Sequence, residues 1–209
     1  MKKVFKDITS IRKKNIKITI HKESHRQTLI RWIYEVCMDF RYTFYTYLRT
    51  VMLVDRYIRT INATTDDYQL IGVSCLFICA KIEETTTRPI KSYEMVTENS
   101  CKVEEILIKE NEILEQMDYS LNYQLPLDFE RQVHLRKIDK NAEIASELLK
   151  TIISALYEKY CSRESNYTIY TQALRISERI VKFKVIESPF DFYINNNPKL
   201  EALFNKKNQ

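Results

Sequence analysis

One stretch of the chain, "LIGVSCLFICAKIEE" at 70–84, is apolar from Leu70 to Ala80 except at Gly72 and Ser74, and it ends in one lysine and two acids. The pattern predicts a buried helix with its charges gathered at the C-terminal end. That end carries partial negative charge and suits a cation better than acids. Lys81 therefore fits, whereas Glu83 and Glu84 require a reason from outside the helix.

Helical spacing extends on both sides. Residues 24–39 place Leu29, Trp32, Ile33 and Val36 on one face behind a serine cap, Ser24. A second run, 43–61, carries Phe44, Tyr47, Leu48, Val51, Met52, Val54, Asp55 and Ile58. "TTDDYQ" predicts the cap of the third helix, and Pro89 opens a short fourth one. The fifth, about 102–118, has Val103, Ile106, Leu107, Ile113, Leu114 and Met117 as its apolar stripe. Glu110 lies four residues after Ile106 and four before Leu114, which puts a carboxylate in the middle of the packing face. Pro126 ends this set, and helical patterns resume at about 127–137, 141–161 and 166–184, with a short tail helix after Pro198. The reading is all-α, in two successive five-helix units.

Lys81 and Glu110 thus intrude on two apolar helix faces. A buried charge without a partner costs several kcal/mol, so one reading pairs them with each other and with something approaching from outside. In the other, Lys81 snorkels to solvent and Glu110 sits at the edge of its stripe. The pattern alone leaves both open.

Composition narrows the class. One glycine and four prolines in 209 residues point away from β-sheet, whose turns usually need glycine. Hydrophobic residues at 44% and charged ones at 29% fit a globular, soluble chain long enough for a proper core. No apolar run reaches the ~20 residues that span a bilayer, so no membrane association is expected. Five cysteines form no C-x-x-C pair, and Cys75 and Cys79, four apart on one helix face, read as small core residues. His21, His25 and His134 show no ligand spacing with them, and no metal site is expected. The net charge of +5 is spread among mixed signs. The basic cluster "IRKKNIK" at 11–17 reads as a solvated arm, and nucleic acid is not an expected partner. With no Gly-rich phosphate loop and no nucleophile with its base, neither catalytic residues nor a cofactor are expected.

From about His25 to Gln132 the motifs resemble the cyclin family. "HRQTLIRWIYEV" lies where that family has its M-R-A-I-L-x-x-W motif, "MLVDRYI" matches its second-helix signature, and "LIGVSCLFICAKIEE" is similar to the third helix of the cyclin box. "KENEILEQMDYSLNYQLPLDF" matches the fifth helix and the linker into the second box, and this linker with "YEMVTENS" looks most like mitotic, B-type cyclins. The resemblance implies an N-terminal arm over 1–23, an N-terminal cyclin box over 24–124 and a C-terminal cyclin-like helical domain over 125–209. The second box is irregular. Its nearest candidate for the small-residue central helix is "YTIYTQALRISERI".

Cyclins regulate rather than catalyse, so the resemblance implies an activating subunit of a cyclin-dependent protein kinase, in the nucleus, the cytoplasm or both. By analogy Lys81 and Glu110 hydrogen-bond the kinase backbone before its movable helix, and Ile78, Ile82, Glu84, Val96, Leu114, Tyr119 and Leu121 match the groove for that helix. Leu29, Trp32, Glu35 and Gln69 match a patch that docks substrates and inhibitors through short motifs. His25, Thr28 and Arg31 replace the usual methionine, isoleucine and acid there, which predicts weakened docking. Arg26 and Asp55 match an internal structural pair. Two alternatives keep the fold: a transcriptional cyclin serving a polymerase-directed kinase, and a cyclin-fold basal transcription factor on DNA, the latter lacking its zinc ribbon and basic face here.

Overall fold

The computed structural model describes residues 21–61, 63–129, 140–160, 165–183, 190–197 and 200. These are helical, turn or irregular, and no strand occurs among them. Nor is any helix among them long and apolar enough to cross a membrane. The arm at 1–20, the cluster at 11–17, the predicted helix at 127–137 beyond Phe129 and the tail after Pro198 beyond Leu200 lie outside the described residues.

The chain divides into two compact units, 1–123 and 124–209. In the first, α1 spans His21–Phe40, α2 Phe44–Thr60, α3 Tyr68–Glu83, α4 Ile90–Val96 and α5 Val103–Gln116. α1 begins ahead of Ser24, so that serine is inside the helix rather than its cap. A short 3-10 turn, Thr65–Asp67, leads into α3. There the Asp67 carboxylate reaches back to the Thr64 amide and hydroxyl, at 3.0 and 2.7 Å, closing the turn instead of capping forward.

α3 is the centre of the unit, with α1, α2, α4 and α5 packed around it. This is why it is apolar on every side: Ile71 through Leu76 and Ile78 through Ala80 are all buried. Its one glycine has a packing reason. A Cβ built on Gly72 would stand 2.6 Å from Leu29 Cδ1, so the missing side chain is the space that Leu29 of α1 fills. Cys75 and Cys79 are fully buried beside it, and burial pushes the Cys79 thiol up to about 12, in keeping with small core residues.

A chain with one glycine must turn its corners otherwise. α1, α4 and α5 each end in a residue or residue pair with left-handed backbone, at Arg41 (φ 59°), at Glu98 and Asn99 (53° and 60°) and at Asp118 and Tyr119 (50° and 51°). Each corner is closed by an amide reaching back five residues: Tyr42 to Cys37, Asn99 to Glu94 and Tyr119 to Leu114, at 2.9, 3.0 and 2.9 Å. This is the helix-ending motif in which glycine is usual.

In the second unit α6 spans Lys140–Tyr160, α7 Asn166–Phe183 and α8 Asp191–Asn195, with α7 and α8 packed on α6. The structure corrects the choice of central helix. Thr151 through Glu158 of α6 are buried without interruption, whereas α7, which carries "YTIYTQALRISERI", buries a single stripe of Ile169, Tyr170, Ala173, Ser177 and Ile180. The small residues that permit this are Thr151, Ser154 and Ala155. The two hydroxyls return their hydrogen bonds to their own helix, at Glu147 and Lys150 carbonyls. α8, ahead of Pro198, had no counterpart in the sequence pattern.

Candidate functional site

Two elements bring Lys81 and Glu110 together. Lys81 is in the last turn of α3 and Glu110 in the third turn of α5, and the lysine Nζ donates to Glu110 Oε1. The pair is not uniformly buried: the lysine side chain is 43% exposed and the glutamate side chain 9%. Both readings of the sequence pattern therefore hold a part, since the charges meet while the lysine also reaches solvent. One turn back on α3, the Phe77 ring lies 4.1 Å from the same ammonium, a distance at which the ring's negative face attracts a cation.

The apolar side of α5 splits into two rows. Ile106, Ile113 and Met117 face the core, while Val103, Leu107 and Leu114, spaced four and seven, form a second row left open or half-open, with the buried Glu110 between the last two. Leu107 is 42% exposed, and Ile82, directly after Lys81, is 48% exposed. Tyr119 stands 67% exposed at the α5 corner, and Val96, Leu114 and Leu121 are half-buried. Ile78, by contrast, is inside the core. Leu107 was legible as part of the stripe but not as surface, and exposed Met95 on α4 carried no signal beyond being apolar beside Val96.

Glu83 and Glu84 answer to α2 rather than to α3. The Arg49 guanidinium of α2 meets Glu83 Oε1. Glu84 Oε1 accepts from the Thr43 amide at 2.6 Å and its hydroxyl at 3.0 Å, and also from the Thr46 hydroxyl. Thr43 is the residue that opens α2, and its own side chain also accepts from the Thr46 amide. Glu84 is unfavourable for the helix that ends there and favourable for the positive end of the helix that starts beside it, while Glu83 is offset by the Arg49 side chain further along α2. This gives Glu84 an internal partner at a position matched to the kinase groove.

Arg49 also donates to the Leu121 carbonyl at 2.9 Å and Arg56 to that of Ser120 at 3.2 Å. Tyr123 lies under both guanidinium groups and donates its hydroxyl to the Arg49 carbonyl. The segment after Tyr119 is thereby strapped onto α2.

The residues matched to a docking patch do not form an open one. Leu29 and Trp32 are 1% and 0% exposed, because α1 turns that stripe toward α3 and Leu29 fills the Gly72 gap. Gln69 is buried and accepts from Ser100 Oγ at 3.0 Å. His25, Thr28, Arg31 and Glu35 are half-buried. Glu35 keeps one carboxylate oxygen buried without a hydrogen-bond partner, and burial, reinforced by the Asp39 carboxylate, pushes its carboxyl above the usual range. Arg26 and Asp55 do pair, two-pronged, at 2.7 and 2.9 Å between α1 and α2.

Among the described residues no group of His, Cys, Asp and Glu could hold a metal ion. What this unit offers is a helical bundle with a charged pair, Lys81 half-open and Glu110 buried, beside the exposed apolar side chains of Ile82 and Leu107. Residues 4–122 match the family model described as cyclin, N-terminal domain, and the chain belongs to the cyclin family. It is 32% identical over 120 residues to the G2/mitotic-specific cyclin-1 of Saccharomyces cerevisiae, covering 57% of this chain and 24% of that one. It is 31% identical over 122 residues to the G2/mitotic-specific cyclin-B1 of Xenopus laevis, covering 58% and 30%. The chain thus spans under a third of the length of these relatives. The X-ray structure of a viral cyclin from herpesvirus saimiri shares the fold, with a TM-score of 0.69 at 21% identity over 91% of this chain and 81% of that one.

Proposed function

We propose that this chain is the regulatory subunit of a cyclin-dependent protein kinase, which it activates by gripping the kinase's movable helix at Lys81 and Glu110. A protein kinase needs its active-site lysine paired with a glutamate on that helix, and a partner that binds the active arrangement better than the inactive one selects it. The observation carrying the reading is the placement of Lys81 and Glu110 among apolar residues left open, Ile82, Leu107 and Tyr119. The ion pair supplies polar anchors for backbone groups and the open apolar side chains supply area. Similarity to G2/mitotic cyclins favours a role in cell division, and the same reading expects the protein in the nucleus, the cytoplasm or both. Docking of short motifs at α1 is not included, since Leu29 and Trp32 are in the core.

The test is affinity purification from the source cell with identification of the co-purifying kinase, followed by binding and melting of the double variant Lys81→Met with Glu110→Leu. Ion pairs of this kind are often no better for stability than well-packed hydrophobes. The expected outcome is near-native melting with binding weakened at least about tenfold, roughly 1.4 kcal/mol. Unchanged kinase affinity would overturn the proposal, as would phosphotransfer by the purified chain alone.

A further inference from the structure

Lys81 does not meet Glu110 unaided. A lysine side chain has about 2 kcal/mol of rotamer entropy to lose, and this one is 43% exposed, so the carboxylate alone leaves its stem many paths. The Phe77 ring, 4.1 Å from the ammonium, narrows them. Phe77 is half-buried and is itself fixed from below. Its ring meets that of Tyr93 edge-on with centroids 5.0 Å apart, and Tyr93 is wholly buried. Tyr93 in turn meets Phe40 at 5.4 Å and shares a hydrogen bond between hydroxyls with Tyr42 at 2.6 Å.

We infer that Phe77 is a positioning residue for Lys81, holding the ammonium over an anchored ring so that the pair with Glu110 presents one geometry to a partner. The consequence for kinase binding rests on the reading above, while the positioning itself rests on the ring contact. Phe77 as mere apolar filling would be replaced by leucine without effect on the lysine. As a ring that attracts a cation, it is replaced only by another aromatic.

Acetic anhydride, applied in small amount to the full chain, reads the two apart by mass spectrometry. The rate at which Lys81 is acetylated is compared with that of Lys91, an exposed lysine on α4. Phe77→Leu is expected to raise the Lys81 rate relative to Lys91 by about threefold, the factor an exposed cation–π contact is worth, and Phe77→Tyr to restore it. The affinity of the kinase recovered by the purification above should fall by about the same factor in Phe77→Leu and return in Phe77→Tyr. An unchanged ratio in Phe77→Leu overturns the inference. A rise shared by Lys91 overturns it too, since that reports loosened packing around Tyr93. Kinase affinity undiminished in Lys81→Met would end the kinase reading while a raised Lys81 rate in Phe77→Leu still upheld the positioning.

Discussion

Glu84 shows how one carboxylate oxygen can serve a helix it does not belong to. It accepts from an amide and two hydroxyls at the start of α2, so Glu84→Ala leaves those donors to water and weakens the cap. The expected loss is about 1–3 kcal/mol in urea unfolding, with Glu84→Gln intermediate because an amide oxygen still accepts. Glu35 behaves in the opposite sense. Its carboxyl is raised by burial, so its contribution to stability is fully present below the unfolded-state pKa and is lost as pH rises through the folded one. Glu35→Gln is therefore expected to melt higher than the native chain at pH 7 and level with it at pH 4. These two acids also mark what sequence could tell. Lys81 and Glu110 were legible because each breaks an apolar period, which is a local signal. Glu84 was legible as a charge out of place at a helix end, but its partner was not, since Thr43 lies 41 residues away and nothing in either neighbourhood names the other.

Packing between elements turns on Gly72 and Leu29. Gly72→Ala gains up to about 1 kcal/mol of helix propensity but brings a methyl to 2.6 Å from Leu29 Cδ1, so that a buried side chain has to shift. Overpacking of this kind costs about 1–3 kcal/mol, and the net expectation is a lower melting temperature. Combining it with Leu29→Ala should cost less than the sum of the single changes, by about 1 kcal/mol, which a double-mutant cycle measures. The same contact explains why α1 was readable as a helix but ambiguous as a surface. Leu29, Trp32, Ile33 and Val36 have the spacing of a packing face, and periodicity does not say whether such a face meets another helix or a peptide. The α6 helix was legible over 141–161, but its place at the centre of the second unit was not. Its buried stretch includes Thr151, Ser154 and Glu158, polar residues that break the apolar run, whereas α3 is apolar from Leu70 to Ala80 except at Gly72 and Ser74.

At the scale of the molecule the first unit closes at Tyr123, which is held beneath Arg49 and Arg56. A fragment ending there is expected to unfold cooperatively by calorimetry and, on the proposed function, to keep the affinity of the full chain for the kinase. One ending at Gln116 would lose the strap over α2 and melt lower, by calorimetry. The corner between these two end points has a further consequence. Asp118 and Tyr119 hold left-handed backbone without glycine, each at about 1–2 kcal/mol, and Tyr119 projects from it into solvent. Fixing a residue's backbone takes about 1–2 kcal/mol of entropy whenever it happens. Here it happens when the chain folds, so a partner that seats against Tyr119 meets an edge already still, and the disorder that a glycine corner would surrender on association has been given up beforehand.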